Sequence, residues 1–301
     1  MYTVLGASGN IGSVITRSLL DKGEKVRVVG RHLGTLQPFL QKGAEPFIAD
    51  VGDSEALTTA FSGARAAFLM VPPNMAANDY RADQERISDA ISSAVKKSGL
   101  QYAVNLSSFG AQAPTGTGPI AGLHSSEKKL SAIDRLNVLH LRPGYFFENH
   151  LAGLGMIQMM GIFGGAMKAD LKFPQIATKD IGAYAANRLL KLDFNGKQTQ
   201  ELLGERDLNM NEVATAISKA LNNSELRYVQ FLYDQVEQVL TQMGTPLKTA
   251  AMMIEMFQGI NNGIVTAEEP RTAANTTTTP IETFIKDTFI PAFHQSKAVG
   301  A

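Results

Sequence analysis

The sequence predicts an α/β fold, a doubly wound parallel sheet with a smaller, mainly helical second part, and three observations carry that reading. Short apolar runs alternate with amphipathic segments through the first half of the chain, the pattern of repeated strand–helix units around a parallel sheet. Three glycines spaced three apart, Gly6, Gly9 and Gly12, stand where the first apolar run passes into the first helical rhythm. After residue 150 the alternation loosens into helical segments.

Residues 2–5 read as the first strand, after which Ile11, Val14, Ile15 and Leu19 fall at helical spacing until Gly23 stops the helix. Residues 26–29 and 46–49 give the second and third strands. Asp53 is placed to cap a helix carrying Leu57, Ala60 and Phe61, which Gly63 ends. Residues 66–71 form the fourth strand, and a longer helix with Ile87, Ile91 and Val95 on one face runs to Gly99. Residues 102–106 and 138–141 are two more buried strands, with a helix expected over about 125–135 between them. Six strands in this order make a full dinucleotide-binding sheet of the Rossmann type.

The later half holds a Met- and Gly-rich stretch to Met167, a short strand near Phe173, a helix from Asp180, and helical segments from Asn209 onward. Residues 1–150, with a returning segment of about 170–205, are therefore expected to form the nucleotide-binding part. Residues 151–169 and 206–301 would form a smaller part on the substrate side. The threonine run 276–279 reads as a loop, with Thr279 capping a last helix that begins at Pro280, and residues 294–301 are expected to fray.

At 301 residues, 44% hydrophobic and 19% charged, the chain can bury a sizeable core as one large domain or two closely joined ones. Lysine plus arginine and aspartate plus glutamate both number 28, so no net field draws nucleic acid or an anionic membrane. Cysteine is absent, which excludes disulfides, thiolate nucleophiles and cysteine-ligated zinc and agrees with a reducing compartment. The five histidines, at 32, 124, 140, 150 and 294, are scattered, and no metal site is expected. The first residues enter a strand with no basic leader and no long apolar stretch, so neither a signal peptide nor a membrane span is read and the cytoplasm is expected.

The glycines need their place because no Cβ can intrude where backbone amides meet a pyrophosphate beside a helix N-terminus. At the end of the second strand, where an NAD site wants an acid for the ribose hydroxyls, the chain has Gly30-Arg31. An acid there would repel a 2′-phosphate and Arg31 can pair with one, so NADP(H) is favoured as cofactor; the alternative is a solvated loop arginine.

The stretches "GASGNIG" (6–12), "VVGR" (28–31), "IADVGDSEAL" (48–57), "LRPGYFFEN" (141–149) and "IATKDIG" (176–182) together resemble the NmrA-like group of atypical short-chain dehydrogenase/reductases, and the resemblance spans the chain. It implies that Gly6, Ser8, Gly9, Asn10 and Ile11 line the phosphates, that Arg31 takes the 2′-phosphate, and that Asp50 with Val51 meets the adenine. Val71 and Pro72 would flank the nicotinamide ribose. Asp50, Val71 and Ser107 all fall at strand ends on the carboxyl side of the sheet, where such folds hold ligands, although Asp50 could equally cap a turn.

Other members of the wider superfamily carry a Tyr-x-x-x-Lys pair, with tyrosine as proton donor and lysine lowering its pKa and holding the nicotinamide ribose. The corresponding stretch here is "HSSEK", His124 to Lys128, whose spacing keeps both side chains on one helical face while the tyrosine is missing. A nearby ammonium would lower the histidine pKa, which suits a base better than an acid. The plainer alternatives are a histidine that caps or packs and a solvated lysine. Ser107 or Ser108 could hydrogen-bond a substrate carbonyl or serve as a turn residue. Tyr145, Phe146 and Asn149 are candidates for contact with a planar substrate, with at least one aromatic of that stretch expected to seal the junction instead. Seven methionines (156, 159, 160, 167, 252, 253, 256) are read mainly as core filling, or as a soft wall for an apolar ligand.

These readings converge on an NADPH-dependent reductase of a small apolar carbonyl, quinone or related electrophile. The alternative from another class is a sensor that binds NADP(H) and reports to a protein partner. A sugar-nucleotide epimerase, which relies on the tyrosine, ranks below both.

Overall fold

The computed structural model describes residues 1–299, with side chains through Ser296. The six expected strands are present as β1 (Tyr2–Leu5), β2 (Val26–Gly30), β3 (Glu45–Ile48), β4 (Ala66–Leu69), β5 (Tyr102–Leu106) and β6 (Asn137–Pro143). Between them run α1 (Asn10–Asp21), α2 (Leu33–Leu40), α3 (Ser54–Phe61), α4 (Tyr80–Ser98) and α5 (Ile120–Ser131). A further strand, Lys197–Leu202, joins the same sheet beside β6, with Lys197 opposite Val138 and Leu202 opposite Pro143. From that edge the order is Lys197–Leu202, β6, β5, β4, β1, β2, β3, and every pairing is parallel. The direction of winding reverses between β1 and β4, which opens a crevice at their carboxyl ends.

Side chains from the two sheet faces feed separate apolar layers. Tyr2, Val4, Val28, Phe68 and Leu139 pack under α1 and the helix Thr178–Lys191, while Leu5, Val29, Leu69 and Val138 pack under α3, α4 and α5. Gly182 lets Thr178–Lys191 lie directly on α1, since a Cβ there would stand 2.6 Å from Val14 Cβ. A third apolar cluster belongs to the later half of the chain, with Phe147, Phe163, Phe173, Val213, Ile217, Phe284 and Phe289 buried together.

The differences from expectation have local causes. The edge strand Lys197–Leu202 reads KQTQEL and has its first three residues exposed, so it carries no apolar signal. α2 contains Gly34 and Pro38, both poor helix formers. α5 begins five residues before the expected start, at the residue following Pro119, despite Gly122 within it; a Cβ on Gly122 would stand 2.1 Å from Gln84 Oε1. The helix expected from Asp180 starts at Thr178. Thr279 caps no helix of its own: its hydroxyl donates to Asp180 Oδ1 at 2.7 Å. Helix Ile290–Val299 continues through the segment expected to fray, and Gly300 and Ala301 lie outside the described residues.

Two histidines are buried in this frame. Asn105 donates to His140 Nδ1 at 3.1 Å, leaving Nε2 to donate to Ser131 Oγ at 3.0 Å. His150 Nε2 donates to Gln175 Oε1 at 2.8 Å, because Gln175 Nε2 is committed to the Leu208 carbonyl. Burial lowers both rings to about 4, against opposition from Glu127 at His140 and from the Gln175 hydrogen bond at His150. A depressed histidine contributes stability that is complete above the unfolded value near 6.5 and is lost as pH falls from there toward 4. Equilibrium unfolding at pH 5 should therefore show a loss of about 2 kcal/mol per histidine relative to pH 7.5. An unchanged midpoint in the His140→Asn, His150→Asn double variant over the same pH interval, against a falling one in the parent, is the result that identifies these rings as the cause.

Candidate active site

The site is built first by the turn after β1. Gly6 adopts φ +62°, Gly9 N donates to Gly6 O at 2.9 Å, and α1 then begins at Asn10. A Cβ on Gly12 would lie 2.2 Å from Gly6 O, so only glycine lets the first turn of the helix sit against the loop. No side chain caps α1, its first turn holds no acid, and Ser13 N, bonded to Gly9 O at 2.9 Å, is the first amide of the helix proper with a backbone partner. The free amides and the positive helix end form a cradle for an anion that any Cβ at Gly12 would fill. The residues present fit a dinucleotide pyrophosphate.

From this cradle a cleft of about 580 Å³ runs across the carboxyl ends of β4, β5 and β6. Gly6, Gly9, Asn10, Ile11, Gly12, Val71, Ser107, Tyr145, Phe146 and Asn149, all singled out from sequence, line it together. Ser8 is exposed within the same loop, and Pro72 lies between the lining residues Val71 and Pro73. Arg31 and Asp50 follow the ends of β2 and β3, on the other side of β1 from β4. Arg31 is exposed and makes no side-chain hydrogen bond or ion pair among the described residues. Asp50 Oδ1 accepts from Gly52 N at 2.7 Å and faces Arg86 at 4.0 Å, so it does cap a turn, with Val51 half-buried beside it.

The pair His124 and Lys128 is not brought to the cleft. With α5 starting at Ile120, it is Ile120 and Leu123 that face the cleft, and a residue one step further is rotated about 100° away. Lys128 is exposed, and His124 Nδ1 donates to the Ala111 carbonyl at 2.7 Å, with Nε2 buried and unpartnered. Within "HSSEK" Ser126 and Glu127 turn inward, and Glu127 forms a bidentate pair with buried Arg142 at 2.9 and 2.7 Å.

Ser107 is 3% exposed, and its hydroxyl oxygen is buried without a hydrogen-bond partner among the described residues. Burial pushes the Tyr145 phenol up to about 12, against a hydrogen bond with the Asn149 side chain, and its ring meets Phe173 edge-on at 5.8 Å. Phe146 turns to the layer beneath α1, and Phe147 is sealed against Phe284 at 5.5 Å, so one aromatic of the stretch closes the junction. Glu148 accepts from Thr178 N and from Thr178 Oγ1, the latter at 2.5 Å, which ties "LRPGYFFEN" to "IATKDIG" at the cleft wall. Burial raises the Glu148 carboxyl while these bonds from Thr178 pull it down.

Met70, Met75, Met253 and Met256 line the cleft, Met167 is buried in the third apolar cluster, and Met159 and Met160 are 82% and 64% exposed. The methionine stretch thus serves three different environments. Sequence reasoning missed Tyr80 and Gln84, both on α4 and both in the cleft wall; the only local signal was the start of a helix after Asp79.

A parallel seven-stranded sheet whose glycine turn opens on a cleft at the point where winding reverses defines a protein of the Rossmann-type, dinucleotide-binding class. Within that class the chain belongs to the NmrA-like family, whose model matches residues 2–285. It is 26% identical to an NAD(P)H azoreductase of Xenophilus azovorans, over 85% of this chain and 86% of that one. It is also 26% identical to quinone oxidoreductase 2 of Escherichia coli strain K12, over 87% of this chain and 89% of that one. Among solved structures, the NADPH-dependent quinone oxidoreductase of Escherichia coli in complex with NADPH superimposes with a TM-score of 0.80 at 22% identity, over 96% of this chain and all of that one. Among the described residues, no helix is long and apolar enough to cross a membrane.

Proposed function

We propose that the chain is an NADPH-dependent reductase of a small apolar carbonyl or quinone-like acceptor. The observation that carries the reading is the continuity of the glycine cradle with an apolar, methionine-lined cleft at the winding reversal. The names of the two relatives, an azoreductase and a quinone oxidoreductase, support the same class. When bound, the cofactor supplies hydride from its nicotinamide ring.

The chain's own residues then bind, orient and exclude water. The amides from Gly6 to Gly12, with Ser8 beside them, hold the phosphates, and Arg31, without a partner among the described residues, takes the 2′-phosphate. Asp50 and Val51 bound the adenine end, and Val71 and Pro72 the nicotinamide ribose. The unpaired Ser107 hydroxyl, which costs about 1–3 kcal/mol while unsatisfied, gains a partner by turning toward a ligand carbonyl. Tyr145, Phe146 and Asn149 form the wall against which a planar acceptor lies. Residues 1–150 with 170–205 act as the nucleotide-binding part, and 151–169 with 206–301 as the acceptor side.

The test follows reduced-nicotinamide absorbance with NADPH and NADH against quinones, azo compounds, aldehydes and enones. Saturable turnover that prefers NADPH is the expected result; binding without turnover of any acceptor would favour a sensor instead. Arg31→Ala should raise the KM for NADPH on the order of tenfold or more and leave that for NADH nearly unchanged. Equal effects on both would remove Arg31 from the 2′-phosphate.

A further inference from the structure

The missing tyrosine of α5 leaves open which group of this chain meets the acceptor oxygen during reduction. Among the described residues, five hydroxyl side chains line the cleft: Tyr80, Ser107, Ser108, Tyr145 and Thr178. Ser108 donates to the Phe109 carbonyl at 3.0 Å and Thr178 to Glu148. Tyr145 is engaged with Asn149, and the Ser107 oxygen is sealed from solvent and meets a ligand carbonyl only after its side chain turns. Tyr80 is different. Its ring is buried at 5% exposure, its hydroxyl bonds to no described residue, and its oxygen is not among the buried atoms cut off from solvent.

Its backbone is also held in place. Tyr80 is the first residue of α4, directly after Asp79, whose carboxylate accepts from Ala82 N at 3.0 Å. The loop before it is tied to helix Leu247–Asn261 by Thr249 Oγ1, which donates to the Ala77 carbonyl at 2.7 Å. That same helix supplies Met253 and Met256 to the cleft. The phenol is thus a fixed donor in an apolar wall, the setting in which a hydrogen bond to developing charge is worth most.

Resting on the reductase reading above, we propose that Tyr80 is a catalytic residue whose hydroxyl donates a hydrogen bond to the acceptor oxygen that gathers negative charge as hydride arrives. Hydride, with its electron pair, leaves the dihydronicotinamide, which becomes oxidised; with an aldehyde it forms a C–H bond at the carbonyl carbon, and with a quinone its hydrogen and electron pair, together with one proton, convert the two carbonyls into the two hydroxyls of the hydroquinone. The C=O π pair moves onto oxygen, and a proton from cleft water completes the hydroxyl. Tyr80 keeps its own proton throughout. Burial, reinforced by the Asp83 carboxylate, pushes its phenol up to about 12, which suits a neutral donor better than a proton-releasing acid.

The experiment compares wild type with Tyr80→Phe, which keeps the buried ring, using NADPH with 1,4-naphthoquinone and an aromatic aldehyde. The expected result is a fall in kcat/KM on the order of 10²-fold, mainly in kcat. The dissociation constant for NADPH and the melting temperature should stay at wild-type values. A second readout free of turnover is the affinity for 4-nitrophenolate, a stable oxyanion, followed by its absorbance; it should weaken about tenfold in the variant. Wild-type rates in Tyr80→Phe would overturn the inference and leave the reductase reading standing. A matching loss of NADPH affinity or of melting temperature would overturn it too, by showing a structural role. Failure of the wild type to turn over any acceptor would bring down the reductase reading, and this inference with it.

Discussion

Gly12→Val should weaken NADPH binding by at least about 10²-fold and destabilise the chain by about 1–3 kcal/mol. The β-carbon would stand 2.2 Å from Gly6 O and 3.0 Å from Ala7 Cα, both backbone atoms that cannot step aside. To make room, α1 must lift away from the turn, and the amides that form the cradle go with it. Helix Thr178–Lys191 packs against α1 through Gly182, so the displacement also opens the apolar layer beneath. Fluorescence titration with NADPH and denaturant unfolding measure the two effects separately. A Gly12→Val protein that binds NADPH with wild-type affinity would remove the turn from the cofactor site.

The second large effect belongs to Glu127→Ala, with an expected loss of about 3 kcal/mol in equilibrium unfolding. Glu127 and Arg142 are 7% and 8% exposed, and Arg142 donates to both carboxylate oxygens of Glu127 from one guanidinium edge, through Nε and Nη2. Removing the carboxylate leaves a guanidinium buried between α5 and β6 whose one remaining charged partner among the described residues is Glu268, at 2.5 Å and half exposed. The same knot fixes the segment after residue 267, because Glu201 on the edge strand accepts from the amides of Glu268 and Glu269 at 2.9 and 3.0 Å. Glu268→Ala, at the solvated end, should cost no more than about 1 kcal/mol. Equal losses in the two variants would show that burial is not what gives the Glu127 pair its weight.

These two positions show how far the residues could be read without the fold. Gly12 was legible because its constraint is local: a strand, a turn and a helix within a dozen residues dictate where a Cβ cannot go. Glu127 lies inside the stretch "HSSEK" that drew attention to His124 and Lys128. The i, i+4 spacing correctly places those two on one face of a helix, but spacing cannot say which face meets the sheet. That choice depends on where α5 begins and on Gly122 closing against Gln84 of α4, a contact between residues far apart in sequence. Tyr80 escaped notice for the same reason, since a tyrosine at a helix start carries no mark of the cavity it will face. The strand Lys197–Leu202 escaped because an exposed edge needs no apolar alternation.

The sequence by itself determined the α/β class, the order of six strands, the glycine turn and the NmrA-like membership, because periodicity and backbone constraint act over a few residues. Tertiary structure alone decided which face of α5 is inward, that Asp50 caps a turn, that a polar seventh strand closes the sheet, and that Tyr80 lines the cleft. Those outcomes come from packing between distant segments, where a rotation of 100° about a helix axis exchanges a buried side chain for a solvated one.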